Sequence, residues 1–86
     1  MNYSKMKISV GQVIRNKRIA HGLSQEAFAE KVGLHRTYIG SLERGERNVS
    51  LLNLVLIASE LSTSLSGLIS EAESLFDGND FDRQKK

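Results

Sequence analysis

A short stretch of the chain carries most of the side chains that could do chemistry. Between residues 35 and 48 it holds three arginines, Arg36, Arg44 and Arg47, together with hydroxyl and amide side chains. Arginine donates two parallel hydrogen bonds to guanine in the major groove of DNA. A threonine such as Thr37 offers a hydroxyl to a base edge or phosphate and a methyl group to thymine. This combination indicates nucleic-acid recognition.

The sequence lacks the patterns of catalytic and metal-binding sites. It has no cysteine, and its two histidines, His21 and His35, have no partner residue at metal-ligand spacing. It also has no glycine-rich phosphate loop and no pair of acids that would share a cleft. We therefore expect a protein that is not an enzyme and that has no metal site, cofactor or small-molecule ligand.

Helix caps and apolar spacing predict the elements that hold these side chains. Ser24 is a favourable N-cap for a helix over residues 25–32, whose apolar residues share one face. Gly33 is suited to the left-handed conformation that ends such a helix. A second helix is expected over roughly residues 35–44. Two short helices joined by a glycine-containing turn form a helix-turn-helix unit.

The second of these helices should bury Ile39 and Leu42. Its outward positions are then Arg36, Thr37, Gly40, Ser41 and Arg44. Gly40 lowers helix stability by roughly 1 kcal/mol relative to alanine, which either a close approach by another surface or neutral drift would explain. His35 could cap the helix or contact a phosphate. Tyr38 could contact the DNA backbone or pack over the corner between the two helices.

Residues 10–69 resemble the phage-repressor-type (Cro/C1-like) helix-turn-helix domains, a family of five-helix DNA-binding domains. The resemblance is carried by Arg15, Arg18, Gly22, Leu23, Ser24, Gln25, Leu34, Ile39, Glu43, Arg44, Gly45, Ser50, Leu51 and Leu54. Within this family, HRTYI followed by LERGERNVSL is most similar to the controller proteins of restriction–modification systems. The resemblance implies an all-α fold in which helices 2 and 3 form the helix-turn-helix.

The residues and the resemblance together predict roles for individual side chains. The family places an arginine and a glutamate like Arg18 and Glu43 in a partly buried, structural ion pair. Base reading is assigned to Arg36, Thr37 and Ser41. Contacts to the DNA backbone are assigned to Gln25, His35, Tyr38, Arg44, Arg47 and Asn48.

The chain of 86 residues allows a single domain with two loose ends. We expect residues 1–8 to be a flexible segment and Ser9 to begin the first helix, with Ser9 and Gln12 as a capping box. Further helices are expected over residues 51–61 and from residue 65 to about residue 76. Residues 9–76 would form the DNA-binding and dimerisation domain, followed by a disordered tail over residues 77–86. No signal peptide or membrane span is recognisable, so we expect a cytoplasmic protein with no membrane partner.

Charge is distributed unevenly along the chain. Residues 1–48 hold nine Lys or Arg and four Glu, a net charge of +5, whereas residues 49–86 hold three Lys or Arg and six Asp or Glu, a net charge of −3. The basic half contains the helix-turn-helix. This asymmetry is typical of an electrostatic footprint on DNA.

Apolar residues in excess of a small core predict a homodimer. Leu52 and Leu56 in the fourth helix, with Leu75 and Phe76 at the end of the fifth, have no obvious place inside. One recognition helix covers too few base pairs to specify a unique site. We therefore expect a homodimer, paired through these residues of the fifth helix and the outer face of the fourth, that binds an imperfect palindrome in double-stranded DNA.

The favoured hypothesis is a sequence-specific transcriptional regulator, namely an autoregulatory controller protein of a restriction–modification system. A phage-type repressor or an antitoxin regulator would use the same domain. A protein-interaction module that has lost DNA binding is the alternative from another class. The excess leucines of the fourth helix favour that alternative, but the retained arginines argue against it.

Overall fold

Five helices make up the fold of residues 3–75, the part of the chain that the computed structural model describes. They are α1 (Tyr3–Ala20), α2 (Gln25–Val32), α3 (Arg36–Glu43), α4 (Leu51–Glu60) and α5 (Leu65–Leu75). The described residues contain no strand. The all-α class and the five-helix order predicted from the sequence are confirmed.

Serine caps fix the starts of three helices. Ser24, Ser50 and Ser64 each accept a hydrogen bond at the side-chain oxygen from the amide three residues later, at 3.0, 3.1 and 2.9 Å. Gly33 has a φ of 74° and ends α2 in the left-handed conformation. Such caps satisfy amides and carbonyls that a helix end leaves unpaired. They explain why the predicted bounds of α2 and α4, and the predicted start of α5, agree with the structure to within one residue.

The predicted start of α1 at Ser9 is wrong. Residues 3–8, which we expected to be a flexible segment, form the first turns of the helix from Tyr3 onward, and Ser9 is buried inside it. Tertiary contacts hold these turns. Met6 packs against the core, and the backbone of Ile8 lies so close to Gly45 that a Cβ at Gly45 would be 2.8 Å from the Ile8 Cα. These contacts leave no periodic signal in the sequence.

The core gathers side chains from all five helices. Its largest fully buried members are Phe28, Ile14, Ile39, Leu42, Ile57 and Leu68. α1 packs against both α3 and α5, and α2 packs against α3 and α4. With Ile39 and Leu42 buried, α3 can turn only its remaining faces toward solvent. The core therefore sets which side chains of α3 can meet a partner.

α4 and α5 are the most apolar helices of the domain. Within residues 3–75, no single helix has both the length and the apolar character needed to cross a membrane. Taken together, α4 and α5 would have them by length and composition only, although the two helices meet at a bend of 95°. Within this pair of helices, α4 carries exposed leucines.

Gly11 allows α1 to cross close to the C-terminal end of α3. A Cβ at this position would lie 2.7 Å from the backbone oxygen of Glu43 and would also collide with that of Leu42. We expect Gly11→Ala to lower the free energy of unfolding by about 1–3 kcal/mol, the usual cost of overpacking. This loss should appear although alanine is the better helix former by about 1 kcal/mol. Urea unfolding measures it.

Arg15→Ala, at an exposed position of the same helix, is the matched control and should change the free energy of unfolding little. If Gly11→Ala were as stable as the unmodified chain, α1 and α3 would not cross this closely.

Candidate nucleic-acid interface

The first turn of α3 presents the two main predicted base-reading residues to solvent. Arg36 and Thr37 are exposed, and the Arg36 Nε lies 4.0 Å from a carboxylate oxygen of Glu26, with both side chains more than half exposed. An exposed ion pair of this length restrains the arginine weakly. His35 occupies the N-cap position of α3, is exposed, and makes no side-chain capping hydrogen bond. These side chains are therefore available to a partner.

The expectation that Gly40 and Ser41 face solvent is wrong, because both are buried. A Cβ at Gly40 would lie 3.3 Å from Nη1 of Arg44 and 3.6 Å from Oε1 of Gln25, so long side chains cross the helix over this glycine. The Ser41 hydroxyl donates to the backbone oxygen of Tyr38 at 3.0 Å and accepts from Arg47 at 2.9 Å. In this arrangement Ser41 positions Arg47, and its hydroxyl is not a free base-reading group.

Arg47 is held against α3 by two neighbours. Its Nε donates to Ser41, and its guanidinium carbon lies 5.5 Å from the centre of the Tyr38 ring, within cation–π range. The Tyr38 hydroxyl in turn accepts a hydrogen bond of 3.2 Å from the Asn53 side chain. Tyr38 is thus half-buried, with Arg47 against its ring and Asn53 of α4 bonded to its hydroxyl. The exposed guanidinium of Arg47 is positioned before any partner binds.

A buried ion pair ties α1 to the end of α3. Arg18 donates from Nε and Nη2 to the two carboxylate oxygens of Glu43, at 2.6 and 3.0 Å, and from Nη1 to the backbone oxygen of Leu23 at 2.8 Å. Only 9% of the Arg18 side chain and 2% of the Glu43 side chain are exposed. The hydrogen bonds to Glu43 raise the pKa of Arg18 above its ordinary value. The structure thus brings together the two residues that the resemblance pairs.

Gln25 joins the same network from the first turn of α2. Its Nε2 donates to Oε1 of Glu43 at 3.0 Å, so the predicted phosphate-binding amide is anchored to the buried pair. In residues 3–75, every buried side-chain nitrogen or oxygen has a hydrogen-bond partner. A fully satisfied polar network rigidifies the elements it joins. The network therefore ties the start of α2 to the C-terminal end of α3 and to α1.

Arg44 lies at the exposed end of α3 and is paired with Glu46. Its Nε and Nη2 donate to the two Glu46 carboxylate oxygens at 3.0 and 3.2 Å. This pairing raises the pKa of Arg44 and lowers that of Glu46. Asn48, the last predicted backbone contact, is exposed in the following loop. A phosphate bound at the Nε and Nη2 edge of Arg44 would have to displace Glu46.

Among the contacts at this surface that were missed from the sequence are Glu46 with Arg44 and Asn53 with Tyr38. The first could have been found, because opposite charges two residues apart in a short loop can reach one another. The second left no signal, since Asn53 lies fifteen residues from Tyr38. Within residues 3–75, no group of three or more His, Cys, Asp or Glu is placed to hold a metal ion. The surface gathers cations and hydrogen-bond donors, which suit phosphates and base edges.

The predicted dimer residues that the structure describes lie at the surface. Leu52 is 68% exposed, Leu56 42% and Leu75 51%, and Leu51 and Val55 are also exposed. We call Leu51, Leu52, Val55 and Leu56 the α4 apolar face. Phe76, the fourth predicted dimer residue, lies outside the described part of the chain, as does the predicted tail over residues 77–86.

In this structure α2 and α3 are two short helices joined by a tight turn, and a buried scaffold holds the arginine-bearing α3 at the surface. This arrangement defines a helix-turn-helix protein. The helix-turn-helix family model matches residues 14–68, and the chain belongs to this family. The resemblance inferred from the sequence is thereby confirmed.

Relatives and solved structures agree with this assignment. The control protein C.SmaI of Serratia marcescens is 46% identical over 67 residues, which span 78% of this chain and 80% of that protein. The crystal structure of the restriction–modification controller protein C.AhdI from Aeromonas hydrophila is 46% identical, with a TM-score of 0.68, covering 71% of this chain and 92% of the other. A third similar structure is that of SinR, described as the master regulator for biofilm formation, in complex with DNA. It is 33% identical, with a TM-score of 0.67, covering 70% of this chain and 97% of the other.

Proposed function

We propose that this chain is a sequence-specific DNA-binding transcriptional regulator that acts as the autoregulatory controller protein of a restriction–modification system. The observation that carries the proposal is the exposure of Arg36 and Thr37 at the start of α3, a helix fixed by the buried Arg18–Glu43 pair. The similarity to proteins named control and controller proteins supports the finer assignment. Because its target is DNA, the protein would act in the bacterial cytoplasm.

In this proposal, the side chains around α3 divide into two groups. Arg36 and Thr37 read base edges in the major groove, and the other polar side chains around α3 bind phosphates and fix the register. The second group comprises Gln25, His35, Tyr38, Arg44, Arg47 and Asn48. We assign Ser41 to positioning Arg47 and not to base reading, because its hydroxyl is already bonded to Arg47 and to the backbone of Tyr38.

We further propose that the protein works as a homodimer on an imperfect palindrome. A contiguous exposed apolar surface, such as the α4 apolar face, marks an interaction site in a small protein. A two-fold axis through it would bury the same patch of both copies. Dimer concentration then becomes the regulatory input, because autoregulation responds to the amount of protein made.

A protein-interaction module without DNA binding is the second candidate. The α4 apolar face favours it, since such a surface would also serve another protein. The two candidates differ in one property. Only a regulator binds random duplex DNA in a salt-dependent way and also prefers one sequence.

Replacing Arg36 and Arg47 separately tests the division between reading and positioning. On a duplex that the unmodified protein selects from a random pool, Arg36→Ala should lose about 1–3 kcal/mol of binding free energy and flatten the preference at one base pair per half-site. Its affinity for random duplex should fall far less. Arg47→Ala should weaken both kinds of duplex alike and make the salt slope shallower by about one unit.

Affinities measured on both duplexes at several salt concentrations give these quantities. The proposed roles would be reversed if Arg47→Ala removed base preference and Arg36→Ala changed only the salt slope.

A further inference from the structure

A depression of about 280 Å³ opens between the first turns of α1 and the loop that follows α3. Its apolar floor includes Val10, Leu54 and Ile69, and its polar lining includes Lys7, Arg47 and Asn48. No acidic residue is among the described residues that line it. Two cations therefore share one depression without a carboxylate in its lining.

The packing of α1 fixes this arrangement. The close approach of Ile8 and Gly45 joins the first turns of α1 to the end of α3, one residue away from Lys7. Arg47, on the other side, is held by Ser41 and the Tyr38 ring. Like charges held near an apolar floor repel one another, and an anion bound between them would be attracted to both and offset this repulsion.

The position of the depression indicates which anion would bind there. Arg47 rests against Tyr38 and Ser41, so the depression adjoins α3, the helix whose first turn carries the proposed base-reading residues. A DNA duplex lying against α3 would bring its sugar–phosphate strand past the loop of residues 46–48. Lysine serves phosphates as a point charge on a flexible stem, and its stem can lie along an apolar floor.

We propose that Lys7, together with Arg47 and Asn48, binds a phosphate of the DNA backbone and extends the interface onto the first turns of α1. This inference rests on the proposed DNA-binding function. Lys7 would fix position and register without reading sequence. The early start of α1 at Tyr3 then has a functional consequence, because a frayed segment would not hold Lys7 beside Arg47.

The test is the salt dependence of binding to random duplex DNA. Each phosphate neutralised contributes about 0.9 to the slope of log affinity against log salt concentration. Lys7→Gln should make that slope shallower by about 0.9, so that the affinity lost between 50 and 200 mM salt is about 3.5-fold smaller. Lys7→Arg keeps the charge and should keep the unmodified slope. Base preference, measured on the selected duplex, should be the same in both variants.

Lys31→Gln is the matched control, because Lys31 is exposed in the last turn of α2, at the opposite end of that helix from Gln25. It removes the same charge and should leave the slope unchanged. If Lys7→Gln matched Lys31→Gln while Arg47→Ala still lowered the slope, the DNA-binding function would stand and the role of Lys7 would be refuted. If the unmodified protein bound no DNA, the function and this inference would both be refuted.

Discussion

Arg18→Met should lower the free energy of unfolding by about 3–5 kcal/mol, which would leave a domain of this size barely folded. Glu43, only 2% exposed, would keep its carboxylate in a buried site, with Gln25 as its remaining side-chain hydrogen-bond donor among residues 3–75. The carbonyl of Leu23 would lose its partner as well. Removing one member of a buried pair is expensive because the other charge stays desolvated. Thermal and urea unfolding measure the loss.

The double variant Arg18→Met with Glu43→Leu is the control for this interpretation. It removes both charges and replaces them with apolar groups, so it should recover much of the stability. A double-mutant cycle then gives the coupling between the two side chains. An unchanged melting temperature for Arg18→Met alone would show that the pair is not buried, and the register of α1 against α3 would be wrong.

Leu56→Glu should convert the proposed dimer into a folded monomer that binds its palindromic site far more weakly. Leu56 is 42% exposed on the α4 apolar face, so a charge there need not unfold the isolated domain. In a two-fold interface, each substitution places a glutamate in both copies of the patch. A monomer contacts only one half-site, so its affinity for the palindrome falls. Its binding to random duplex, measured per domain, should change little. Sedimentation at micromolar concentration reports the assembly state.

Ile19→Glu is the matched control for the charge. Ile19 is 51% exposed at the end of α1 and lies outside the α4 apolar face. The substitution Ile19→Glu also replaces an exposed aliphatic residue with glutamate, but it should leave the dimer intact. A monomer of the unmodified protein with undiminished affinity for its palindrome would contradict the dimer proposal.

Local chemistry explains which parts of the fold could be predicted from the sequence. Ser24, Ser50 and Gly33 act on their own helix ends, so their positions in the sequence located α2 and α4 closely. The start of α1 could not be found in this way. It depends on the contact between Ile8 and Gly45, which are far apart in the sequence.

The same contrast holds at the interface. The exposure of Arg36 and Thr37 follows from the burial of Ile39 and Leu42, which helical periodicity predicts. The burial of Ser41 depends instead on Arg47, a loop residue that folds back onto α3. The pairing of Arg18 with Glu43, 25 residues apart, was available only through the family resemblance.

Selection from a pool of randomised DNA duplexes tests sequence-specific binding most directly. The full chain, at a concentration where it sediments as a dimer, would be incubated with the pool at physiological salt, and the retained duplexes sequenced over several rounds. We expect enrichment of one imperfect palindrome whose half-sites lie about one helical turn, roughly 34 Å, apart. Arg36→Ala should lose preference at one base pair of each half-site. Retained duplexes that stayed as random as the starting pool would contradict the proposed function.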